Sequence, residues 1–213
     1  AKARWAVNGK REFGQPRDPA ASSPTCGAST IPAALAVMSV FALSNFQFDI
    51  TKAYLLASPN EPYFITAPPG FRSYLRLKHD GDVPWEPSEY LFRVTKNLYG
   101  DPPAGRLLYD LVHAFLTRDL QCRVSPIDRC CFLRSIVDKG KRIFAIVLLY
   151  VDDILVLGHD NIAGEVAAAI RHRFPTTEGG DDYLSLEIRN DLAKGTVTVN
   201  QAHNVATLLA TTN

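Results

Sequence analysis

The spacing of apolar residues along the chain changes several times between the period of a helix and the period of a strand. Apolar residues three and four positions apart indicate one face of an amphipathic helix, whereas alternation indicates a half-buried strand. Helices are predicted over residues 33–43, 106–116, 166–173 and 201–209. Strands are predicted over residues 2–8, 46–50, 63–66, 90–95, 130–136, 142–149, 154–157, 184–188 and 196–199.

Boundary residues and apolar stripes refine the predicted helices. Ser29 or Thr30 can cap the first helix, which has Pro32 in its first turn. Asn161 can cap the third. The first helix is apolar on all sides, which predicts burial all round. The second begins just after Pro103 and can lie across a sheet through one apolar stripe, formed by Leu108, Leu111, Val112 and Phe115.

The order of these elements predicts an α+β fold. A strand, a helix, a hairpin, a second helix and a further strand follow one another, as in a ferredoxin-like antiparallel sheet with helices on one face. Asp138-Lys-Gly-Lys141 is a credible hairpin turn between the strands 130–136 and 142–149. Residues 14–24 are predicted as a loop rich in Pro, Gly and Ser, and residues 59–103 as a loop-rich insertion.

Composition indicates a globular chain without deciding its partner. Its 213 residues are 46% hydrophobic, and a net charge of +1 leaves nucleic-acid binding to local clusters of Lys and Arg. Four cysteines in no zinc or disulfide pattern indicate reduced thiols in an intracellular compartment. Charge interrupts the longest apolar run, so membrane insertion is not expected. The chain begins at Ala1 and its single methionine is Met38, which suggests a piece of a longer polypeptide.

Two adjacent acids, Asp152 and Asp153, stand between the aliphatic runs 143–149 and 154–157. Carboxylates in such a setting are costly to bury unless a cation compensates them. The five histidines are far from these acids in the sequence, so a hard divalent cation with oxygen ligands is the natural candidate. The alternative is that both acids are solvated turn residues, because aspartate is common in turns.

A third acid, Asp49, ends the strand 46–50 on the face opposite Phe48 and Ile50. Two-metal phosphoryl transfer requires ions about 3.5–4 Å apart that are held by shared carboxylates. Asp49 and Asp152, brought together from neighbouring strands, can supply that arrangement. Asp153 would point the other way and help to hold the second ion or the loop, and the backbone carbonyl of Ile50 could add a neutral oxygen.

Several short motifs follow one another along the chain: Lys2-Ala-Arg4, Phe48-Asp-Ile-Thr-Lys-Ala-Tyr54, Pro68-Pro-Gly-Phe71, Asn97-Leu-Tyr-Gly100 and Tyr150-Val-Asp-Asp153. Taken in this order, they resemble the motifs of the reverse transcriptases of copia-type retrotransposons. The similarity runs over nearly the whole chain. It implies an RNA-directed DNA polymerase in which Asp49, Asp152 and Asp153 are ligands of two Mg²⁺ ions, with Mn²⁺ as the alternative ion.

The resemblance also implies a right-hand polymerase layout. Residues 1–24 would be part of the fingers, and residues 59–103 would be an insertion in the fingers. The palm would comprise residues 25–58, with the first acidic motif, and residues 104–200, with the second acidic motif and a primer-positioning hairpin. Residues 201–213 would be the start of a truncated thumb.

Nucleotide-binding roles are implied at four positions. Tyr54 resembles an aromatic gate beneath the incoming sugar. A ring against the 2′ carbon leaves no room for the hydroxyl that distinguishes ribonucleotides. The alternative is that Tyr54 is a core tyrosine. Lys2 and Arg4 resemble a basic fingers strand that grips the triphosphate, or are simply solvated charges. Gly100 matches a glycine near the nucleotide and template strand, or is a plain turn glycine.

Primer and template contacts are implied by two further segments. The segment Leu184-Ser-Leu-Glu-Ile188 resembles the one that positions the primer end, although Ser185 stands where the family commonly has glycine. Asp101-Pro-Pro-Ala-Gly-Arg106 replaces the more familiar Leu-Lys-Gln-Ala-Pro-Arg. The residues expected to contact primer or template are Tyr150, Val151, Leu184 and Ser185.

The partners implied are an RNA template, a DNA primer and deoxynucleoside triphosphates, with RNase H and integrase regions elsewhere in a Pol polyprotein. The implied location is intracellular, in a cytoplasmic virus-like particle. Two alternatives to an active polymerase stay open. A non-catalytic nucleic-acid-binding module would predict exposed aromatics on central strands, where this chain has acids. A truncated or inactive retroelement relic would fold without polymerising.

Overall fold

The computed structural model describes residues 6, 22–79, 81, 86–177, 182–191 and 194–211. Within these residues the helices are α1 (Thr30–Val40), α2 (Phe71–His79), α3 (Ala104–Ala114), α4 (Asp160–Arg173) and α5 (Ala202–Thr211). The strands are β1 (Ser44–Asp49), β2 (Tyr63–Thr66), β3 (Leu91–Val94), β4 (Arg123–Val124), β5 (Cys131–Asp138), β6 (Lys141–Tyr150), β7 (Asp153–Gly158), β8 (Asp182–Tyr183), β9 (Leu186–Asp191) and β10 (Thr196–Asn200). Short 3₁₀ helices cover Ala53–Leu56 and Pro87–Glu89, and a π-helical turn, Phe115–Asp119, extends α3.

The described strands form three antiparallel sheets. The largest has the order β1-β7-β6-β5-β4, a second has the order β10-β9-β8, and β2 pairs with β3. The hairpin between β5 and β6 confirms the predicted turn, because Lys139 and Gly140 have φ values of 48° and 79° between the paired residues Asp138 and Lys141. Positive φ at both central positions is what a type I′ hairpin turn requires.

Strand β7 lies at the centre of the core. Four successive residues, Ile154, Leu155, Val156 and Leu157, are each 0% exposed. Because successive side chains point to opposite faces, burial of all four means that both faces of the sheet are covered here. The short aliphatic run after the acidic pair is therefore a strand buried on both sides.

Helices α3 and α4 cover one face of the main sheet. The register links Phe132 in β5 to Phe46 in β1 through Val147 and Val156. The ring centroid of His113 in α3 lies 5.6 Å from that of Phe132. On the same face, the backbone of α4 passes over the ring of Phe46 at Gly164.

The opposite face is covered by the β8–β10 sheet and by the chain that leaves α1. Gln47 donates from Nε2 to the carbonyl of Ile188 in β9 at 3.5 Å. The ring of Phe41, which follows α1, meets the ring of Phe144 edge-on at 5.7 Å between centroids. Since side chains alternate along a strand, Asp49 shares the face of Gln47. Asp49, at the end of β1, is therefore on the face that the β8–β10 sheet covers.

The prediction for the first helix is wrong about its last residue and about its burial on all sides. It ends at Val40 rather than at residue 43, and β1 begins at Ser44 rather than at residue 46. The left-handed backbone of Ala42, with φ of 47°, makes the break. Only one side is buried, through Ile31, Ala34 and Met38, while Val40 is 78% exposed. Uniformly apolar composition hides which side meets the sheet.

The segment 59–103 holds more regular structure than predicted. It contains β2 and β3, as expected, and also α2, which was predicted as loop. The helix follows Pro68-Pro-Gly70, and the proline and glycine content of its flanks concealed it. Phe71 packs edge-on against Phe92 of β3, with ring centroids 5.4 Å apart, which attaches α2 to the hairpin.

Other boundaries also differ from the predictions. Helix α4 starts at Asp160, with His159 rather than Asn161 as its cap residue. The predicted strand 184–188 begins at Leu186, because Leu184 and Ser185 form the turn after β8. Strand 2–8 lies outside the described residues except Ala6, which makes a parallel bridge to Tyr99, and loop 14–24 lies outside them except for residues 22–24.

All four cysteines lie in the described part of the chain, and they are free thiols, as predicted. Burial, followed by the negative charge of Asp128, raises the pKa of Cys26 and of Cys130 to about 12. Such thiols are poor nucleophiles at neutral pH. Across the described residues, none of the helices is both long and apolar enough to cross a bilayer.

Gly158 should be intolerant of any side chain. A Cβ added there would lie 2.6 Å from the carbonyl oxygen of Phe144 and 2.8 Å from the Cα of Ala145. Gly158→Ala is therefore expected to lower the free energy of unfolding by about 1–3 kcal/mol, the usual cost of overpacking. Urea denaturation followed by circular dichroism measures this value.

Gly164→Ala is the matched control, since a Cβ there meets only the Phe46 ring, at 4.0 Å. It should raise stability by about 0.5–1 kcal/mol through the better helix propensity of alanine. Equal destabilisation by both substitutions would contradict the packing of β7 against β6.

Candidate active site

The acidic motifs meet at the end of the β1–β7 ladder. Asp49, the last residue of β1, is paired with Asp153, the first residue of β7. Val151 and Asp152 form the two-residue turn between β6 and β7, because Tyr150 pairs with Asp153. The expectation was that Asp49 and Asp152 would be brought together from neighbouring strands, with Asp153 pointing the other way, and the register differs from it. Asp153 is the direct neighbour of Asp49, and Asp152 lies in the adjoining turn.

Backbone hydrogen bonds hold the chain on both sides of Asp49. The N–H of Ile50 donates to the carbonyl of Asp152 at 2.9 Å, which extends the ladder by one bond. The N–H of Thr177 donates to the carbonyl of Asp49 at 3.0 Å, and Thr176 bridges to Ile50. The chain that leaves α4 therefore runs beside the acid on its other flank. The contribution of residues 176–177 was not predicted, and no motif in the sequence marks it.

The turn between β6 and β7 has an unusual backbone. Val151 has a φ of 57°, in the left-handed region that a β-branched residue rarely adopts. This conformation costs about 1–3 kcal/mol and persists only where surrounding contacts impose it. Tyr150 on one side makes an isolated bridge to Thr25, and Asp152 on the other is bonded to Ile50. These contacts keep Asp152 at the tip of the turn.

The three carboxylates repel one another. Burial, followed by the negative charges of Asp152 and Asp49, raises the pKa of Asp153 to about 6, against a smaller lowering by the backbone N–H of Leu184. Like charges placed directly opposite on neighbouring strands destabilise a sheet. The cluster therefore favours either a proton or a cation.

The donor set suits a hard divalent cation in its chemistry. Carboxylate oxygens are the ligands that Mg²⁺ and Mn²⁺ prefer, and Asp49, Asp152 and Asp153 supply them from two paired strands and a turn. Among the residues described, however, no group of three or more His, Cys, Asp or Glu side chains is arranged so that it could hold a metal ion. The backbone register brings the acids together, and their side chains would have to turn toward one point to bind.

Tyr54 lies beside the acids. It follows the left-handed Lys52, whose φ is 54°, in the 3₁₀ helix Ala53–Leu56. Its ring meets the ring of Tyr99 edge-on, with centroids 5.2 Å apart and planes at 90°. Burial, followed by the charge of Asp152, raises its pKa. Tyr99 was not predicted as a partner, although it stands in the motif at residues 97–100.

Of the three other predicted nucleotide-binding residues, Gly100 lies in the described part of the chain. Gly100 has a φ of 85° in a turn in which the N–H of Asp101 donates to the carbonyl of Leu98 at 3.2 Å. A glycine is favoured at that φ whatever its function, which agrees with the turn interpretation. Lys2 and Arg4 lie outside the described residues.

The predicted primer-contacting residues divide into two turns near the acids. Tyr150 is the last residue of β6 and Val151 is the first residue of the β6–β7 turn, whereas Leu184 and Ser185 form the β8–β9 turn. The second turn approaches the site because β8, which leads into it, packs against β1 and β7. This packing was not predicted, since nothing in the sequence relates β8 to those strands.

A family model described as "Reverse transcriptase (RNA-dependent DNA polymerase)" matches residues 1–213, and the chain belongs to this family. Two curated proteins of Arabidopsis thaliana are similar to it: the retrovirus-related Pol polyproteins from transposons RE2 and RE1, at 29% and 28% identity over 169 residues. These matches cover 78% of this chain and 10% of each relative. No solved structure matches the chain. The expected kinship with copia-type reverse transcriptases is confirmed.

The acidic cluster should make stability depend on pH. Asp153 has a higher pKa in the folded chain, about 6, than its ordinary value of 3.8. The folded state thus binds more protons than the unfolded state between these values, so stability should fall as pH rises through this window. Asp153→Asn should remove this dependence and raise stability at pH 7 by roughly 1–2 kcal/mol, allowing for partial solvent exposure.

Urea denaturation at pH 4.5 and pH 7 in a chelating buffer measures this difference, since a divalent cation would mask it. Asp119→Asn, at an exposed position, is the control and should leave the pH dependence unchanged. The same pH dependence in Asp153→Asn and the native chain would show that Asp153 is not the titrating group.

Proposed function

We propose that this chain is the fingers and palm of an RNA-directed DNA polymerase, which extends a DNA primer on an RNA template. The observation that supports this most strongly is the ladder that ends in Asp49 opposite Asp153, with Asp152 in the adjoining turn. Three acids from two distant motifs are brought to one corner of a sheet. The family to which the chain belongs gives the reaction.

In the proposed reaction, the oxygen of the primer 3′ hydroxyl attacks the α-phosphorus of a deoxynucleoside triphosphate in line. The phosphorus–oxygen bond to pyrophosphate breaks, and the hydroxyl proton is lost to solvent. Asp49, Asp152 and Asp153 would hold two Mg²⁺ ions, with the Ile50 carbonyl as a further oxygen ligand. Bound there, the ions would stabilise the negative charge on the attacking and leaving oxygens. The chain itself contributes positioning, because the β1–β7 register and the turn at Val151 fix where the carboxylates are attached.

Nucleotide selection is proposed for Tyr54. Its ring lies near Asp152 and is braced by Tyr99, so it can form one wall of the nucleotide site. Against the 2′ carbon of a bound sugar it would exclude ribonucleotides. Gly100, in the turn next to Tyr99, would leave the backbone open to the nucleotide or template, and Lys2 and Arg4 would contact the triphosphate.

The proposed domain layout follows the sheets. The main sheet with α3 and α4, in residues 25–58 and 104–200, would be the ferredoxin-like palm. The β2–β3 hairpin with α2, in residues 59–103, would belong to the fingers together with residues 1–24. Residues 201–213, with α5, would begin the thumb. Tyr150, Val151, Leu184 and Ser185 would contact primer or template from the two turns beside the acids.

The partners of the whole protein are proposals as well, because the chain spans about a tenth of the length of the curated relatives it matches. They are an RNA template, a DNA primer, deoxynucleoside triphosphates, and RNase H and integrase regions of one polyprotein. A cytoplasmic virus-like particle is the proposed location.

One observation favours an alternative, an inactive relic with the same fold. The described side chains include no group of three that could hold a metal ion as they stand. A relic would keep the β1–β7 register for stability and would have lost the cation site. Metal binding by the purified chain separates the two proposals before any polymerase assay.

Primer extension on poly(rA)/oligo(dT) with Mg²⁺ tests the proposed reaction. The native chain should incorporate dTTP, and Asp152→Asn should lower kcat by about 10²–10³-fold, the usual loss when an electrostatic group at a reaction centre is removed. Asp119→Asn controls for a change in net charge and should retain native activity. Synthesis that Asp152→Asn leaves unchanged would exclude the proposed site, and no synthesis by the native chain would favour the relic.

Tyr54→Ala tests nucleotide selection. Loss of the ring should lower the ratio of kcat/KM for dTTP over UTP by about 10- to 200-fold, the range typical of a small change in pocket shape. Tyr54→Phe keeps the ring and should keep the ratio. If both variants discriminate as well as the native chain, Tyr54 is a core tyrosine rather than a gate.

A further inference from the structure

The carboxylate of Asp128 accepts hydrogen bonds from two segments that are about a hundred residues apart in the chain. Its Oδ2 accepts from the backbone N–H of Gly27 at 2.8 Å and from the hydroxyl of Thr30 at 2.5 Å. Its Oδ1 accepts from the backbone N–H of Cys130 at 2.8 Å. One oxygen therefore serves the segment that leads into α1, and the other serves the start of β5.

The turn before α1 is shaped to receive this carboxylate. The N–H of Thr30 donates to the carbonyl of Gly27 at 2.9 Å, which closes the turn. A Cβ added to Gly27 would lie 3.3 Å from Oδ2 of Asp128 and 3.3 Å from Oγ1 of Thr30, so the missing side chain allows the close approach. Burial raises the pKa of Asp128, but the hydrogen bonds from Thr30, Gly27 and Cys130 bring it below its ordinary value. Hydrogen bonds to an ionised carboxylate are the strong ones.

The two segments that Asp128 joins are successive neighbours of β6 along one edge. Strand β5 is the neighbour as far as Leu149, whose N–H donates to the carbonyl of Cys130 at 2.9 Å. At the next residue, Tyr150, the neighbour is Thr25, through an isolated antiparallel bridge. The neighbour of β6 therefore changes at the last residue before the β6–β7 turn, and Asp128 bonds to the chain on both sides of this change.

We infer that Asp128 is a positioning residue for the β6–β7 turn, because its carboxylate joins the segment before α1 to the start of β5 and so fixes both backbone neighbours of Leu149 and Tyr150. These bonds of Asp128 are called the Asp128 clamp below. Val151, the next residue, has a φ of 57°, and backbone strain of this kind persists only where surrounding contacts impose it. The clamp supplies such contacts on the side of β6 that faces away from β7.

The consequence of the Asp128 clamp for cation binding at the β6–β7 turn rests on the proposed function, whereas the clamp itself does not. A purely stabilising role for Asp128 would lower the free energy of unfolding without any special effect at the turn. A positioning role predicts local opening in addition. Local opening exposes little surface, so amide exchange through it depends little on urea, whereas exchange through global unfolding rises steeply with urea.

Amide hydrogen exchange, measured by NMR on the metal-free chain at low urea concentrations, tests the Asp128 clamp without any requirement for activity. Asp128→Asn keeps the shape of the side chain but replaces one acceptor oxygen by a donor. Exchange at the amides of Gly27 and Leu149 should become about tenfold faster, with little dependence on urea. Asp138→Asn, at the far end of β5, is the matched control for the change in charge and should leave exchange at Leu149 unchanged.

Native exchange at Leu149 in Asp128→Asn would overturn the inference. Faster exchange that rises with urea as steeply as global unfolding would overturn it as well, because it would assign Asp128 to overall stability.

The pair Thr30→Val and Thr30→Ser tests the Asp128 clamp from its other side. Valine keeps the branched shape and lacks the hydroxyl donor, whereas serine keeps the donor. Exchange at Leu149 should be about fivefold faster in Thr30→Val and native in Thr30→Ser. If circular dichroism shows that Asp128→Asn does not fold, this pair decides, and equal exchange at Leu149 in both variants would then overturn the inference.

Mn²⁺ affinity, followed by electron paramagnetic resonance, tests the consequence for the cation. Asp128→Asn should bind Mn²⁺ about tenfold more weakly than the native chain, and Asp138→Asn should bind it with native affinity. Native Mn²⁺ affinity in Asp128→Asn would overturn the role in positioning the cation site.

The two measurements separate the inference from the proposed function. If the native chain binds no Mn²⁺, the proposed cation site fails, while faster exchange at Leu149 in Asp128→Asn still supports the Asp128 clamp. If the native chain binds Mn²⁺ and exchange at Leu149 is unaltered in Asp128→Asn, the clamp fails and the proposed function stands.

Discussion

The antiparallel ladder between β1 and β7 is the constraint on which the rest of the molecule depends. It joins two motifs about a hundred residues apart and ends with Asp49 opposite Asp153. A slip of one residue would turn every side chain of β1 to the other face. Such a slip is costly, because it would exchange the faces of Phe48, which is 2% exposed, and Gln47, which donates to the Ile188 carbonyl in the β8–β10 sheet. Hydrophobic burial thus sets the position of the acids.

The same burial makes the negative charges of the site costly. An acid at the end of a buried strand is partly removed from water, and here two further carboxylates stand beside it. Backbone hydrogen bonds hold the chain at this corner: the Ile50 N–H donates to the Asp152 carbonyl, and the Thr177 N–H donates to the Asp49 carbonyl. These bonds fix positions without neutralising charge, so the cluster still favours either a proton or a cation.

Left-handed residues recur around this corner. Lys52, Val151, Leu184 and Ser185 all have positive φ, and each lies where the chain turns close to the acids or to Tyr54. Three separate elements, the 3₁₀ helix Ala53–Leu56, the β6–β7 turn and the β8–β9 turn, thereby meet at one end of the main sheet. Strain of this kind is held by packing elsewhere, mainly through the buried strand β7 and the buried Tyr183.

The sequence by itself determined the family, the free thiols and most strands, because each depends on local pattern: motif order, alternation and turn residues such as Lys139-Gly140. It also indicated the three acids as candidate metal ligands. It could not show which acid faces Asp49, since register depends on long-range pairing. Nor could it show α2, whose packing on Phe92 outweighs its Pro- and Gly-rich flanks. The contact of Tyr99 with Tyr54 and the packing of β8 against β1 and β7 were likewise decided only by tertiary structure, because they join residues that are distant in the chain.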